Sequence, residues 1–293
     1  MIYLIVNPVA GRGRALASVP QVEAFLRARR LPFRTLHTLE PGHATRLVCN
    51  LPEDARVLSL GGDGTLHEVA VACTGTQRTL GVLPGGSGDD FAFALGLDRH
   101  ALIPALEVAV SQRVRCVDTA RVNGAPFFNA LGIGFDAEVA HNFHSAPAVL
   151  RERSAYLYAV VQTLRHLETP EVQITVDDRP FYRGPALLTA VLNGPRPGGS
   201  FLFAPGARVD DGQLNLIVGT SLGRLGILGL VPKVMGGRHL GHPKILSAHG
   251  RTFRLRWAQP RRAHLEGQLL PATQTFEVSI QARSLNVASP NPD

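Results

Sequence analysis

Residues 57–72 read VLSLGGDGTLHEVAVA, and the fold turns on this stretch. Val57–Leu60 is a short apolar run of the kind a parallel sheet buries. Gly61, Gly62 and Gly64 then surround Asp63 in a tight loop. Thr65 and Glu68 follow at capping-box spacing, which predicts a helix through about Ala72, closed by Gly75. The order is strand, glycine loop, helix, and it recurs on both sides. Upstream, Ile2–Val6 leads into NPVAGRG at 7–13. There Ser18 and Gln21 resemble a second capping box, Pro20 falls in the expected first helical turn, and Val22, Phe25 and Leu26 form an apolar face. Phe33–His37 reads as a strand and Ala44–Cys49 as a helix. Downstream, Leu80–Leu83 leads into GGSGDD at 85–90 and a helix near Phe91–Leu95. Strands alternating with helices predict an open, mostly parallel α/β sheet over the first 115 or so residues.

Beyond Arg115 the pattern changes. Thr119–Val122, Val172–Val176, Ala186–Leu192, Gln213–Val218, Thr252–Trp257 and Thr275–Ile280 are strand-like and separated by turn residues. Ala155–Leu167 and Leu222–Met235 read as helices. A β-rich second domain, a sandwich, is expected over 118–281, after an α/β domain over 1–117.

The chain has 293 residues, 45% of them hydrophobic and 18% charged, which excludes a disordered chain. Its net charge of +7 is carried almost wholly by arginine, because Lys233 and Lys244 are the only lysines. Neither follows a G-x-x-x-x-G run, so no Walker P-loop is present, and a protein-kinase layout lacks its N-terminal lysine. Any phosphate chemistry must rely on backbone amides, metal ions and arginine. Cys49, Cys73 and Cys116 match neither a zinc nor a disulfide pattern, so a reducing cytoplasm is expected, with the thiols as buried small apolar groups. The apolar start Met1–Val6 is too short for a signal peptide. Ala186–Leu192 and Gly226–Val231 fall short of the roughly 20 residues of a membrane span, so no transmembrane segment is expected.

Charge is unevenly placed. Residues 1–117 hold 12 basic and 10 acidic groups, and residues 118–293 hold 18 and 13. Between Asp211 and Glu266 no acidic residue occurs, against nine basic ones, Arg254 and Arg256 among them. That segment suits an anionic membrane surface. Nucleic acid is not expected, because Trp257 is the only tryptophan and no recognition motif accompanies the charge. The eleven histidines show no metal-binding spacing and receive no role.

The three glycine loops follow three neighbouring strands, at the edge where open α/β sheets bind ligands. Glycine lets backbone N–H groups approach phosphate oxygens, and the following helix N-termini favour anions. Asp63 inside such a loop calls for a metal ion or a ligand hydroxyl facing it.

NP-x-x-G-x-G at the start, GGDGT with LHEV, and LPGGSGDDFA together resemble the diacylglycerol kinase catalytic-domain family, which includes bacterial lipid kinases and the sphingosine and ceramide kinases. VDTARVNGAPFFNALGIGFDAEV at 117–139 and LNGPRPGGSFLFAPGARVDDGQLNL at 192–216 agree with that family's second half. The resemblance spans roughly residues 2–270. It implies a Rossmann-like α/β domain of the NAD-kinase and diacylglycerol-kinase type joined to a β-sandwich, with ATP in the cleft between them. It also implies a last strand, about Ser284–Val287, returning to the first domain, so that 282–293 belong there. Carried over by position, Asn7, Pro8, Gly11, Gly13, Gly61, Gly62, Asp63, Gly64, Thr65, Gly86, Ser87 and Asp90 hold the nucleotide. Asp63, Asp90 and Asp118 meet the magnesium network, and Asp211 with the carbonyls of Arg208 and Gln213 forms a separate metal site. Asp136 is read as structural. The activity implied is transfer of the ATP γ-phosphoryl group to a lipid hydroxyl. ATP and Mg2+ are the cofactors, and the partner is a lipid at the inner face of an anionic membrane. A homodimer is left open.

The sequence departs from the family pattern in one telling place. A late D-G-E turn becomes Glu266-Gly267-Gln268, and Gln268 cannot accept a proton at neutral pH. Glu266 or Asp63 is then the remaining candidate base. Asp89 also replaces an asparagine and adds negative charge near the phosphates. These two changes support an alternative, a nucleotide- or lipid-binding protein that kept the fold without phosphoryl transfer. NAD kinase, whose GGDGT loop is similar, is a further alternative.

Overall fold

The computed structural model describes residues 1–86, 88–98, 100–147, 150, 152–199 and 201–290. The chain divides into two compact units. The first comprises Met1–Thr119, Arg208–Gly212 and Gln281–Asp293, and the second comprises Ala120–Ala207 and Gln213–Ile280.

The first unit is a parallel sheet with helices. In chain order its elements are β1 (Ile2–Val6), a 3-10 turn at Ala10–Gly13, α1 (Arg14–Ala28), β2 (Phe33–His37), α2 (His43–Cys49), β3 (Arg56–Gly61), α3 (Asp63–Cys73), β4 (Thr79–Pro84), α4 (Asp90–Ala94) and α5 (Leu102–Val110). β5 (Val114–Val122) then leads out of it. β1 lies between β2 and β3, and β4 pairs β3, all parallel. The end of the last strand returns beside β4, with Asn286 opposite Thr79, where a returning strand was expected. Leu4, Val6, Leu58, Leu60 and Leu83 form the sheet side of the core, against Val22 and Leu26 of α1 and Leu106 of α5.

Two local expectations need correction. α1 starts at Arg14, not after Ser18, because Gly13 takes φ +88° and turns the chain into the helix. Ser18 is therefore mid-helix, with its hydroxyl donating to the Arg14 carbonyl at 2.9 Å, and Pro20 lies inside the helix beyond its first turn. Thr65 and Glu68 are not a capping box either. α3 begins at Asp63 behind Gly62, and Glu68 instead accepts the amides of Gly42 (2.7 Å) and Ala44 (3.0 Å), capping α2 from a distance.

The second unit continues with β6 (Ala125–Phe127), β7 (Ala130–Gly134), α6 (Phe135–His144), α7 (Glu152–Arg165), β8 (Glu171–Val176), β9 (Arg179–Leu192), β10 (Leu214–Thr220), α8 (Arg224–Met235), β11 (Ile245–Gly250), β12 (Thr252–Leu265) and β13 (Gln268–Ala288). Its strands are antiparallel, in the order β11-β10-β9-β7-β12-β13. β9 and β12 are long enough to serve two layers. Each pairs β7 near one end and β8 near the other, so the strands fold over the core as a sandwich requires. The turn in β12 falls at the register shift between Arg256 and Arg261. Trp257, Phe253, Leu255, Phe127 and Phe276 fill the space between the layers.

α5, α6 and the short strands β6, β7 and β11 had no counterpart among the expected elements. No helix among the described residues is long and apolar enough to cross a membrane. Of the cysteines only Cys73 is buried, Cys49 being exposed and Cys116 half-buried. Burial pushes the Cys73 thiol up to about 12, so it stays protonated and inert.

Candidate functional site

The three glycine loops of the first unit converge so closely that side chains would not fit between them. A Cβ on Gly11 would lie 2.3 Å from the Gly85 carbonyl oxygen, and one on Gly86 would lie 2.5 Å from the Gly62 Cα. Gly85 approaches the Gly61 backbone to 3.1 Å in the same sense. Side chains add cross-ties. Arg14 donates to the Gly11 carbonyl at 3.2 Å and to the Gly86 carbonyl at 2.6 Å, linking the first loop to the third. Asn7 donates to the buried Thr65 hydroxyl at 2.9 Å, linking the first to the second, and its own carbonyl accepts the Val9 amide at 3.2 Å. Pro8 lies between Asn7 and Val9 in the same loop.

Asp63 sits at the middle of this arrangement. Its Oδ2 accepts the Asp89 amide at 3.0 Å and its Oδ1 the Asp90 amide at 2.9 Å. The carboxylate thus fixes the third loop where α4 begins. Asp89 takes φ +52° and folds back, accepting the Gly86 amide at 3.1 Å. Asp89 and Asp90 are both buried. The Asp63 and Asp90 carboxylates flank Gly88, whose Cβ would fall 2.4 Å from Asp63 Oδ2 and 3.7 Å from Asp90 Oδ2. Ser87 lies outside the described residues.

The helices that follow the loops are open at their N-termini. Neither α1, behind Gly13, nor α3, behind Gly62, has a side-chain cap. Uncapped first-turn amides and the helix dipole make each end suited to an anion. Gly13 itself has open space around it, with nothing within 4 Å of the position of a Cβ.

The expected metal residues of the Asp118 region play another part. Asp118 is fully buried, and its two oxygens accept the amides of Gly212 and Arg283, each at 2.7 Å. It therefore ties the 208–212 loop and the returning strand to β5. Asp211 is exposed, and its neighbour Asp210 carries the ion pair, to Arg115 and to Arg208. Among the described residues no group of three or more His, Cys, Asp or Glu forms a metal centre.

Burial alone would raise the Asp210 carboxyl, but the hydrogen bond and charge of Arg115, aided by Arg208, hold it below the ordinary carboxylate range. The stability this contributes is present above the unfolded pKa and is lost as pH falls through the lower folded value. Arg115→Ala is therefore expected to cost about 1–3 kcal/mol at neutral pH, between a surface and a buried pair. Urea unfolding of both proteins at pH 7 and below about pH 4 checks this, since the gap should close as Asp210 protonates.

In the second unit, Leu265–Gln268 closes the β12–β13 hairpin. Glu266 and Gly267 take φ +52° and +85°, as a two-residue type I′ turn requires. Glu266 Oε1 accepts two amides, from Phe128 at 2.6 Å and Asn129 at 2.7 Å. This oxygen is committed to holding the β6–β7 connection, which the reading of Glu266 as a base did not foresee. Gln268 is exposed. His264, given no role from sequence, is buried beside Asp136, with Nε2 to Oδ2 at 3.4 Å, while its Nδ1 accepts the Gly267 amide at 3.3 Å. Asp136 is thus structural as expected, and it holds the histidine that steadies the turn.

Glycine loops that bring backbone amides and a carboxylate together, without a P-loop lysine, mark the class of proteins that handle phosphates on such loops. The comparisons with known proteins specify it. The diacylglycerol kinase catalytic domain matches residues 1–122, and the YegS C-terminal NAD kinase beta sandwich-like domain matches residues 129–289. The chain belongs to this family of diacylglycerol kinase and YegS-like lipid kinases. It is 26% identical to the diacylglycerol kinase of Bacillus subtilis strain 168, over 90% of this chain and 88% of that one. It is 29% identical to the probable YegS-like lipid kinase of Pseudomonas aeruginosa PAO1, over 93% and 91%. Among solved structures, a candidate diacylglycerol kinase of Bacillus anthracis strain Sterne superposes with a TM-score of 0.82 at 27% identity, covering 99% of this chain and 95% of that one. An NAD kinase of Archaeoglobus fulgidus shares the fold alone, with a TM-score of 0.53 at 13% identity.

Proposed function

We propose that the protein transfers the γ-phosphoryl group of ATP to the hydroxyl of a lipid such as diacylglycerol. The observation that carries this reading is the convergence of the three glycine loops on the Asp63 carboxylate in a protein of the lipid kinase family. The amides at the uncapped starts of α1 and α3 bind phosphate oxygens. Asn7 and Thr65, bonded to each other, hold the first two loops in register for the nucleotide. Arg14 supports the loops through their carbonyls, which leaves charge neutralisation mostly to backbone and metal.

The pair of carboxylates flanking Gly88 fits a hard divalent cation, because each oxygen of an ionised carboxylate can accept more than one partner. Asp63 and Asp90 are the residues that would hold magnesium, since each Asp63 oxygen keeps accepting capacity beside its bond to one backbone amide. Bound there, the ion would offset charge on the transferring phosphoryl group. Asp63 is also the acid proposed to accept the acceptor hydroxyl's proton, with Glu266, whose Oε1 accepts two amides, as the other candidate.

The test is incubation with γ-labelled ATP, magnesium and mixed-lipid vesicles, followed by a search for labelled lipid. Gln268→Glu is the informative companion. A carboxylate at this exposed position is expected to raise turnover by about tenfold or more if proton transfer limits it, since a positioned base contributes some 10²–10⁴-fold. Unchanged turnover means that a carboxylate at position 268 takes no proton in the step that limits turnover.

A further inference from the structure

α8 is apolar on both faces. Ile227, Leu230 and Val234 point inward and are buried with Leu164 of α7 and Leu187 of β9. Leu225, Leu228 and Met235 recur on the opposite side and are 85%, 45% and 50% exposed. A helix that is hydrophobic all round is ordinarily buried, so the outer face of α8 is half of an interface. α7 extends it, with Leu157 and Val161 one turn apart and 60% and 42% exposed. Between the two helices lies an open cavity of about 380 Å3, lined by Val161, Leu164, Arg165 and Arg224. Arg224 is pinned at its edge by donating to the Leu164 carbonyl at 2.9 Å and the Arg165 carbonyl at 3.4 Å.

The charge around this face says what covers it. Lys233 on α8 is exposed, together with Arg224 at its start and Arg238 just beyond its end, in the segment that holds no acidic residue. A second copy of the chain meeting this face across a two-fold axis would set these cations against their own equivalents. Apolar side chains rimmed by arginine and lysine match the interfacial zone of an anionic bilayer, where the leucines enter the acyl boundary and the cations meet phosphate head groups. Farther along the chain, Arg254 on β12 is already paired with Glu277 at 3.2 Å.

We propose that the outer face of α7 and α8 docks the protein on an anionic phospholipid leaflet, with Leu225 and Leu228 inserted and Arg165, Arg224, Lys233 and Arg238 on the head groups. This assignment concerns binding and does not depend on phosphoryl transfer, so an inactive protein tests it equally well.

The experiment is co-sedimentation of the full chain with vesicles of phosphatidylcholine, with and without phosphatidylglycerol, over a range of salt. Binding is expected only with phosphatidylglycerol and should weaken as salt rises. Leu225→Glu with Leu228→Glu should weaken it about tenfold or more, and Lys233→Glu about fivefold. Arg254→Glu should leave it unchanged. Thermal melting confirms that each variant folds, with Leu225→Ser as the milder substitution should the double variant melt early. Three results overturn the proposal: wild-type protein that binds neither vesicle, α8 variants that bind as well as wild type, or α8 variants that change a dimer to a monomer while vesicle binding stays the same.

Discussion

Asp63→Ala is expected to lower phosphoryl transfer by about 10²–10⁴-fold, the range lost with a positioned proton acceptor. The substitution also removes the acceptor of the Asp89 and Asp90 amides, and each buried amide left without a partner costs about 1–3 kcal/mol. Three effects are therefore superimposed, the third being loss of a carboxylate that would hold magnesium, which a titration of activity against magnesium reveals; the other two separate by readout. Loss of the loop tie shows as a lower melting temperature and weaker nucleotide binding. Loss of the proton acceptor shows in kcat at saturating nucleotide. Asp63→Asn keeps an oxygen for one amide and retains much of the fold, so its kcat reports the second effect more cleanly. A variant with weakened nucleotide binding and undiminished kcat would make Asp63 a purely structural residue.

The second large effect is expected at Gly11. Its φ of +59° costs a residue with a side chain about 1–2 kcal/mol, and its Cβ would lie 2.3 Å from the Gly85 carbonyl oxygen. That oxygen is backbone and cannot swing aside, so overpacking adds about 1–3 kcal/mol. Gly11→Ala should push the first and third loops apart, lowering the melting temperature and reducing nucleotide affinity about tenfold or more. Gly13→Ala is the matched control. It has φ +88° but nothing within 4 Å, so it bears the backbone strain without the collision. Melting curves and nucleotide titration of the two variants measure the difference, and equal losses would mean that loop contact does not shape the site.

The loops were legible from sequence because glycine after a buried strand has few other uses, and three such loops imply one edge. β1 was legible to the residue because its apolar run is bounded by loop signals, and β2, FRTLH, was placed at the same bounds without one. The helix starts were misread because a local rule was applied to a tertiary arrangement. Glu68 has the spacing of a capping box but is drawn to the amides of α2, a partner that sequence spacing does not reveal. α5, with the sequence LIPALEVAV, was missed although Ala105, Leu106 and Ala109 recur at helical spacing; Pro104 falls in its first turn, where a proline is tolerated. In the site, Asp89 looked like a liability when counted as charge. It proves to be a loop-closing acceptor once φ +52° turns it inward. Asp118 and Glu266 were assigned by their place in the family pattern, and the backbone amides that each accepts are partners sequence position does not reveal. His264 could have been noticed only through its distant partner Asp136, far upstream in the sequence.

The most direct measurement is transfer of label from γ-labelled ATP to lipid by the wild-type protein with magnesium and mixed-lipid vesicles. A labelled lipid product that disappears with Asp63→Ala is the predicted result. ATP binding with no labelled lipid across a broad acceptor panel, or label appearing on NAD instead, would contradict it.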